Sequence, residues 1–94
     1  MASFAEVEVD VETGVWTIVD FVGVADVGTV IHPHSLGGQV LGGGIQGINH
    51  VRSAKLVYDP HYGAGLSTRM HHNKPATILD IPLKSQWAAV GLPD

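Results

Sequence analysis

The sequence predicts an α+β fold: an antiparallel β-hairpin, then a glycine-rich helix packed on the sheet, then a second short hairpin. Three observations lead to this expectation. Residues 5–10 alternate apolar and acidic side chains, and residues 15–25 are almost wholly β-branched or aromatic. The run Ser35–Asn49 holds six of the chain's twelve glycines and carries its apolar residues at helical spacing.

The elements follow in order. Val7, Val9 and Val11 share one face of a strand whose other face carries Glu6, Glu8, Asp10 and Glu12, the pattern of a half-exposed strand. Glu12-Thr13-Gly14 supplies a turn, and Val15 to Ala25 returns as the second strand. That strand is apolar on both faces around Phe21–Ala25, so it belongs inside a sheet with something covering each side. Pro33 keeps His32 out of a helix, and Ser35 is the expected N-cap of a helix over Leu36–Lys55. Leu56-Val57-Tyr58 and Leu66–Met70 are expected to pair across the turn-forming residues 59–65, giving the second hairpin. His71–Pro75 reads as loop and Ala76–Asp80 as a short turn or helix. The tail around Trp87–Val90 reads as a strand that pairs with chain absent from this sequence.

Length and composition narrow the function. Ninety-four residues form one small domain at most, and a chain of this size buries only about 60–65% of the surface its unfolded form exposes. Apolar residues make up 45% of the chain but aromatics only 6%, so the core is thin and reads as part of a larger one. A net charge of −4 offers no basic face for nucleic acid or an anionic membrane surface. With no cysteine there is no disulfide and no thiolate ligand for zinc or an iron–sulfur cluster, which accords with a cytoplasmic location. The N-terminus lacks the basic and apolar regions of a signal peptide, and no apolar run is long enough to span a membrane.

Six glycines in one helix require a reason, since each costs about 1 kcal/mol relative to alanine. The working explanation is a second backbone or a flat ligand lying where a Cβ would collide. Gly42-Gly43-Gly44-Ile45-Gln46-Gly47 formally matches G-x-G-x-x-G, but no strand ends at its first glycine, as a dinucleotide fingerprint requires. Gln39 and Gln46 stand two helical turns apart on one face. Each side chain carries two donors and one acceptor, so either could read the edge of a heteroaromatic ligand or simply bond loop backbone. His32, His34, His71 and His72 invite a metal reading, yet Pro33 intervenes and no carboxylate pair has ligand spacing, so no metal ligands are assigned. Nor is there a nucleophile elbow, a His-Glu-x-x-His or a paired catalytic carboxylate, and no catalytic residue is assigned.

The order of these signals is nevertheless distinctive. Glu6–Asp10 with Glu12-Thr13-Gly14, then Val22–Gly28, Ile31-His32-Pro33, Gly38–Ile48 and Leu56–Asp59 follow one another as they do in a known family. The chain resembles the C-terminal part of the molybdopterin-binding large subunit of the xanthine dehydrogenase and aldehyde oxidase family, the molybdenum hydroxylases. The resemblance covers nearly the whole chain.

Several expectations follow from it. In that family the glutamine of the Gly-Gln step contacts the pterin of the molybdenum cofactor, and Gln39 holds the matching position. Gly38, Gly42 and Gly43 would let the helix approach the cofactor and neighbouring chain. Leu41 stands where many relatives have Glu, and Gly44 where they have Ile or Val. Family members hydroxylate aldehydes or N-heterocycles at molybdenum and pass electrons to iron–sulfur and FAD subunits or domains, with a glutamate in a Gly-Val-Gly-Glu motif as general base. Ala89-Val90-Gly91-Leu92 has leucine at the fourth place, and Trp87–Asp94 resembles the segment that precedes that motif, so the chain is expected to stop short of the base. The implied reading is a segment of a larger molybdopterin-binding domain, inactive alone, that shares its cofactor with the rest of the large subunit. The alternative is a non-catalytic binding or assembly module with the same fold.

Overall fold

Asp10 organises the first turn of the chain. Its carboxylate accepts the backbone N–H groups of Glu12 and Thr13, and its own N–H and carbonyl bond Val15 and Gly14. Gly14 closes the turn at φ +74°, a conformation that suits glycine and few other residues. The hydrogen bonds from Glu12 and Thr13 hold the Asp10 carboxyl below its ordinary pKa. The turn joins β1 (Ala2–Val9) to β2 (Trp16–Ala25) as the predicted antiparallel hairpin.

A computed structural model describes residues 1–91; Leu92, Pro93 and Asp94, the end of the expected tail segment, lie outside the described residues. The sheet has three strands in the order β1-β2-β3, with β3 (Lys84–Ala89) parallel to β2. The tail strand therefore pairs within this chain, not with absent chain as the sequence reading expected. The intervening helix and loops provide the long crossover that a parallel pair requires.

Register explains which face of β2 is buried. Glu6 pairs with Asp20 and Val7 with Ile18, leaving Val19 as an extra residue on β2. Such a bulge shifts the alternation by one. Ile18 ahead of it and Phe21, Gly23 and Ala25 beyond it consequently share the buried face. On the other face Val22 and Val24 are half-buried, and Phe4, paired with Val22, is 66% exposed. β1 is exposed along its whole length, valines included.

Helix α1 (Pro33–Arg52) begins three residues earlier than expected and ends three earlier. Pro33 takes the first helical position, where its missing N–H costs nothing. The cap is His32, not Ser35: its Nδ1 accepts the Ser35 N–H at 3.1 Å and its carbonyl accepts the Leu36 N–H at 3.0 Å. An accepting Nδ1 requires the ring proton on Nε2. His32→Ala is expected to cost about 0.5–2 kcal/mol and His32→Asn much less, which denaturant unfolding would measure.

The described chain divides into two compact units, Met1–Gly44 with the segment from Pro82, and Ile45–Ile81. The first contains the sheet and the N-terminal part of α1, with Ile18, Phe21, Ala25 and Val40 buried. In the second, Tyr58 and Gly65 form a single antiparallel bridge, so the second hairpin is one rung long. Val57 O accepts the Leu66 N–H, while the Val57 N–H goes to Ser67 Oγ, which ends the ladder. His71–Pro75 is not all loop: α2 (Met70–Asn73) forms one turn, closed by Lys74 at φ +58°. Thr77 donates its N–H and Oγ to Asp80 Oδ2, and Arg52 Nε lies 3.3 Å from Asp80 Oδ1. These contacts, Thr77's foremost, hold the Asp80 carboxyl below its ordinary pKa. No helix among the described residues is long and apolar enough to cross a membrane.

Candidate functional site

The site is built on α1, and its geometry starts from how that helix sits on the sheet of the first unit. Gly37 lies directly over the indole of Trp87: a Cβ there would overlap Cε2 and Nε1 and come within 2.8 Å of Cζ2. Gly44 lies over Phe21, where a Cβ would fall 2.5 Å from Cε1 and 2.6 Å from Cζ. Between them the roles reverse, and Val40 projects onto Gly23 of β2, whose own Cβ would be 2.9 Å from Val40 Cγ1. Large residues on one element thus meet glycines on the other at three successive points of α1, at or close to the helix–sheet interface.

These contacts account for two of the six helix glycines. Successive residues turn by about 100° around a helix, so positions 37, 40 and 44 face the sheet and positions 39, 42 and 43 face away from it. Gly38, Gly42 and Gly43 are exposed, and among the described residues a Cβ added to any of them would meet nothing within 4 Å. Gln39 stands exposed among them, and its amide forms no hydrogen bond within the described residues. Gly38, Gln39, Gly42 and Gly43, singled out in the sequence, are therefore brought together as one bare strip. Gln46, further along α1, is also exposed.

The strip is electrically quiet. From Pro33 to Asn49 the helix carries no Asp, Glu, Lys or Arg, and His34 is its one ionisable side chain. Asp10 and Asp80, the carboxyls with lowered pKa, both sit in turns and not on α1. The glycines of the formal G-x-G-x-x-G lie within α1 and not at a strand-to-helix turn, so they form no dinucleotide loop. Among the described residues no three His, Asp or Glu side chains approach closely enough to hold a metal ion. A depression of about 230 Å³ lined by Phe4, Ala5, Glu6, Asp20 and Val22 contains no residue of α1.

An uncharged strip without Cβ atoms, with one free amide beside it, suits a flat heterocycle with hydrogen-bonding edges. A profile of the molybdopterin cofactor-binding domain matches residues 1–82. The chain belongs to that family. Two curated relatives of this chain are named probable hypoxanthine oxidase XdhD, from Escherichia coli strain K12 and from Escherichia coli O157:H7. Each is 33% identical over 81 residues, an alignment covering 86% of this chain and 8% of the relative. Among solved structures, the crystal structure of quinoline 2-oxidoreductase from Pseudomonas putida 86 matches with a TM-score of 0.80 at 30% identity. That match covers 98% of this chain and 12% of the other. The likeness to molybdenum hydroxylases thus holds in sequence and in fold, and the chain spans about a tenth of the length of these relatives.

Sequence reasoning gave Trp87 no packing role and did not single out Gly37, because nothing local pairs a tryptophan in a tail strand with one glycine among six. A signal was present in Gly23, a glycine inside a β-branched strand, which commonly marks close approach of another element.

Proposed function

We propose that this chain is a segment of a larger molybdopterin-binding domain and forms one wall of the cofactor site in a molybdenum hydroxylase of the xanthine dehydrogenase or aldehyde oxidase type. Gln39 is the pterin contact, and Gly38, Gly42 and Gly43 are the surface on which the ring system can lie. The observation that carries this reading is the free Gln39 amide set among positions where a Cβ is missing and nothing of the described chain fills the space. The family match supports it.

The bound cofactor would supply the redox chemistry of hydroxylation. Residues of this chain bind and orient it: the Gln39 amide can donate two hydrogen bonds and accept at its oxygen, which selects a ring edge of complementary pattern. The general base and the other walls come from the remainder of the large subunit, and iron–sulfur and FAD partners take the electrons. The assembly is cytoplasmic.

The test is Gln39→Ala in the chain assembled with the rest of its subunit, read as pterin content after purification. Truncating a buried hydrogen-bonding amide costs about 1–3 kcal/mol, so retention should fall by about tenfold or more without vanishing. Unchanged pterin content would reject the role of Gln39; a stable, cofactor-free folded monomer of the isolated chain in sedimentation would favour the non-catalytic module of the same fold.

A further inference from the structure

The cofactor-facing strip is defined by what pins the opposite side of α1, and that is where the structure carries an inference beyond the site itself. Gly23 and Trp87 are register partners on the parallel strands β2 and β3, so they sit side by side on the sheet. Gly37 and Val40 are one turn apart on α1, so they too are neighbours. The two pairs are set crosswise, Gly37 on Trp87 and Val40 on Gly23. Moving the helix by one turn along its axis would bring a side chain where Gly37 now is, onto the indole. Rotating it would drive Val40 off the one position of β2 without a Cβ. The crosswise pair therefore fixes both the axial position and the rotation of this part of α1.

Gln39 lies between Gly37 and Val40 in the chain, so its direction is set by the same two contacts. Resting on the cofactor reading above, we propose that Trp87 is a positioning residue for Gln39: the indole beneath Gly37 holds the amide in the orientation that meets the pterin. It touches the inner side of α1 and acts only through the helix. Gly44 over Phe21 supplies a further contact, but it does not flank the glutamine as Gly37 and Val40 do.

The experiment is a double-mutant cycle between Trp87 and Gln39 in the assembled subunit, read as the rate of pterin release, a measurement independent of turnover. Trp87→Leu should speed release about tenfold when Gln39 is present, the scale expected when a contacting group is displaced by part of an ångström. In the Gln39→Ala background the same change should alter release by less than about twofold, because the residue it acts through is gone. Gly37→Ala should speed release as Trp87→Leu does, and the double variant Gly37→Ala/Trp87→Leu should return to within about threefold of the parent, the added methyl occupying space the smaller side chain vacates. If Trp87→Leu prevents assembly, Trp87→Phe, which lacks part of the indole under Gly37, replaces it in the cycle: a smaller acceleration is expected with Gln39 present, and none in the Gln39→Ala background. Equal effects of the Trp87 variant in both backgrounds, or no effect in either, would overturn the proposal. The two readings fail separately: a silent Gln39→Ala rejects the cofactor contact, whereas an effective Gln39→Ala with an additive Trp87 variant rejects only the positioning role.

Discussion

Phe21→Ala is expected to abolish stable folding of the first unit. Phe21 is 6% exposed, and its ring is what Gly44 rests on. Among the described residues, the rest of the unit's buried hydrophobic core is Ile18, Ala25 and Val40. Truncating a buried phenylalanine costs about 3–5 kcal/mol. Domains of this size are stable by about 5–15 kcal/mol in total, and a core with so few members belongs near the lower end. Denaturant unfolding, or the soluble fraction where unfolding is complete, would measure the effect. A loss below about 1 kcal/mol would mean that the ring is not the support described.

The second large effect is a contrast between glycines of one helix. Gly44→Ala gains about 1 kcal/mol of helix propensity, but it drives a methyl to 2.5 and 2.6 Å from two carbons of the Phe21 ring. Overpacking of a filled interface costs about 1–3 kcal/mol, and at these distances it outweighs the gain. Gly42→Ala meets nothing within 4 Å among the described residues and should stabilise the chain by about 1 kcal/mol. Its cost should appear elsewhere, as reduced pterin retention in the assembled subunit, because the methyl occupies the surface proposed for the ring system. Stability and retention should therefore move in opposite directions for Gly42→Ala, while Gly44→Ala lowers stability outright. If both substitutions destabilised the chain equally, the division of α1 into a packed and an open side would be wrong.

Much of this division was legible in the residues. Alternation in Glu6–Asp10 and the β-branched run through Val24 predicted the hairpin, and the stripe of Leu36, Val40, Leu41, Ile45 and Ile48 predicted the covered side of α1, since each of these is buried or half-buried. Val51, which follows Ile48 at the same helical spacing, is 77% exposed. The sequence could not say which glycines serve the sheet and which remain open, because that depends on partners far along the chain: Trp87 for Gly37 and Phe21 for Gly44. Parallel pairing of β3 was hidden for the same reason, as nothing local distinguishes a strand returning to its own sheet from one joining another. The cap was misread because Ser is the commoner capping residue, whereas Pro33 at the first helical position moves the cap to His32. The choice of Gln39 over Gln46 as the proposed cofactor contact came from the family pattern, since spacing alone treats the two alike.

The crosswise seat of α1 also has an order of formation built into it. The hairpin needs only its six-residue turn region to close, and hairpins of this kind assemble in microseconds. Trp87 pairs beside Gly23 only after residues 24–86 have been made, and contacts so distant in sequence are slow to gain. The contacts proposed to orient Gln39 thus come late: a nascent chain can have its hairpin and its helix before Trp87 is in place.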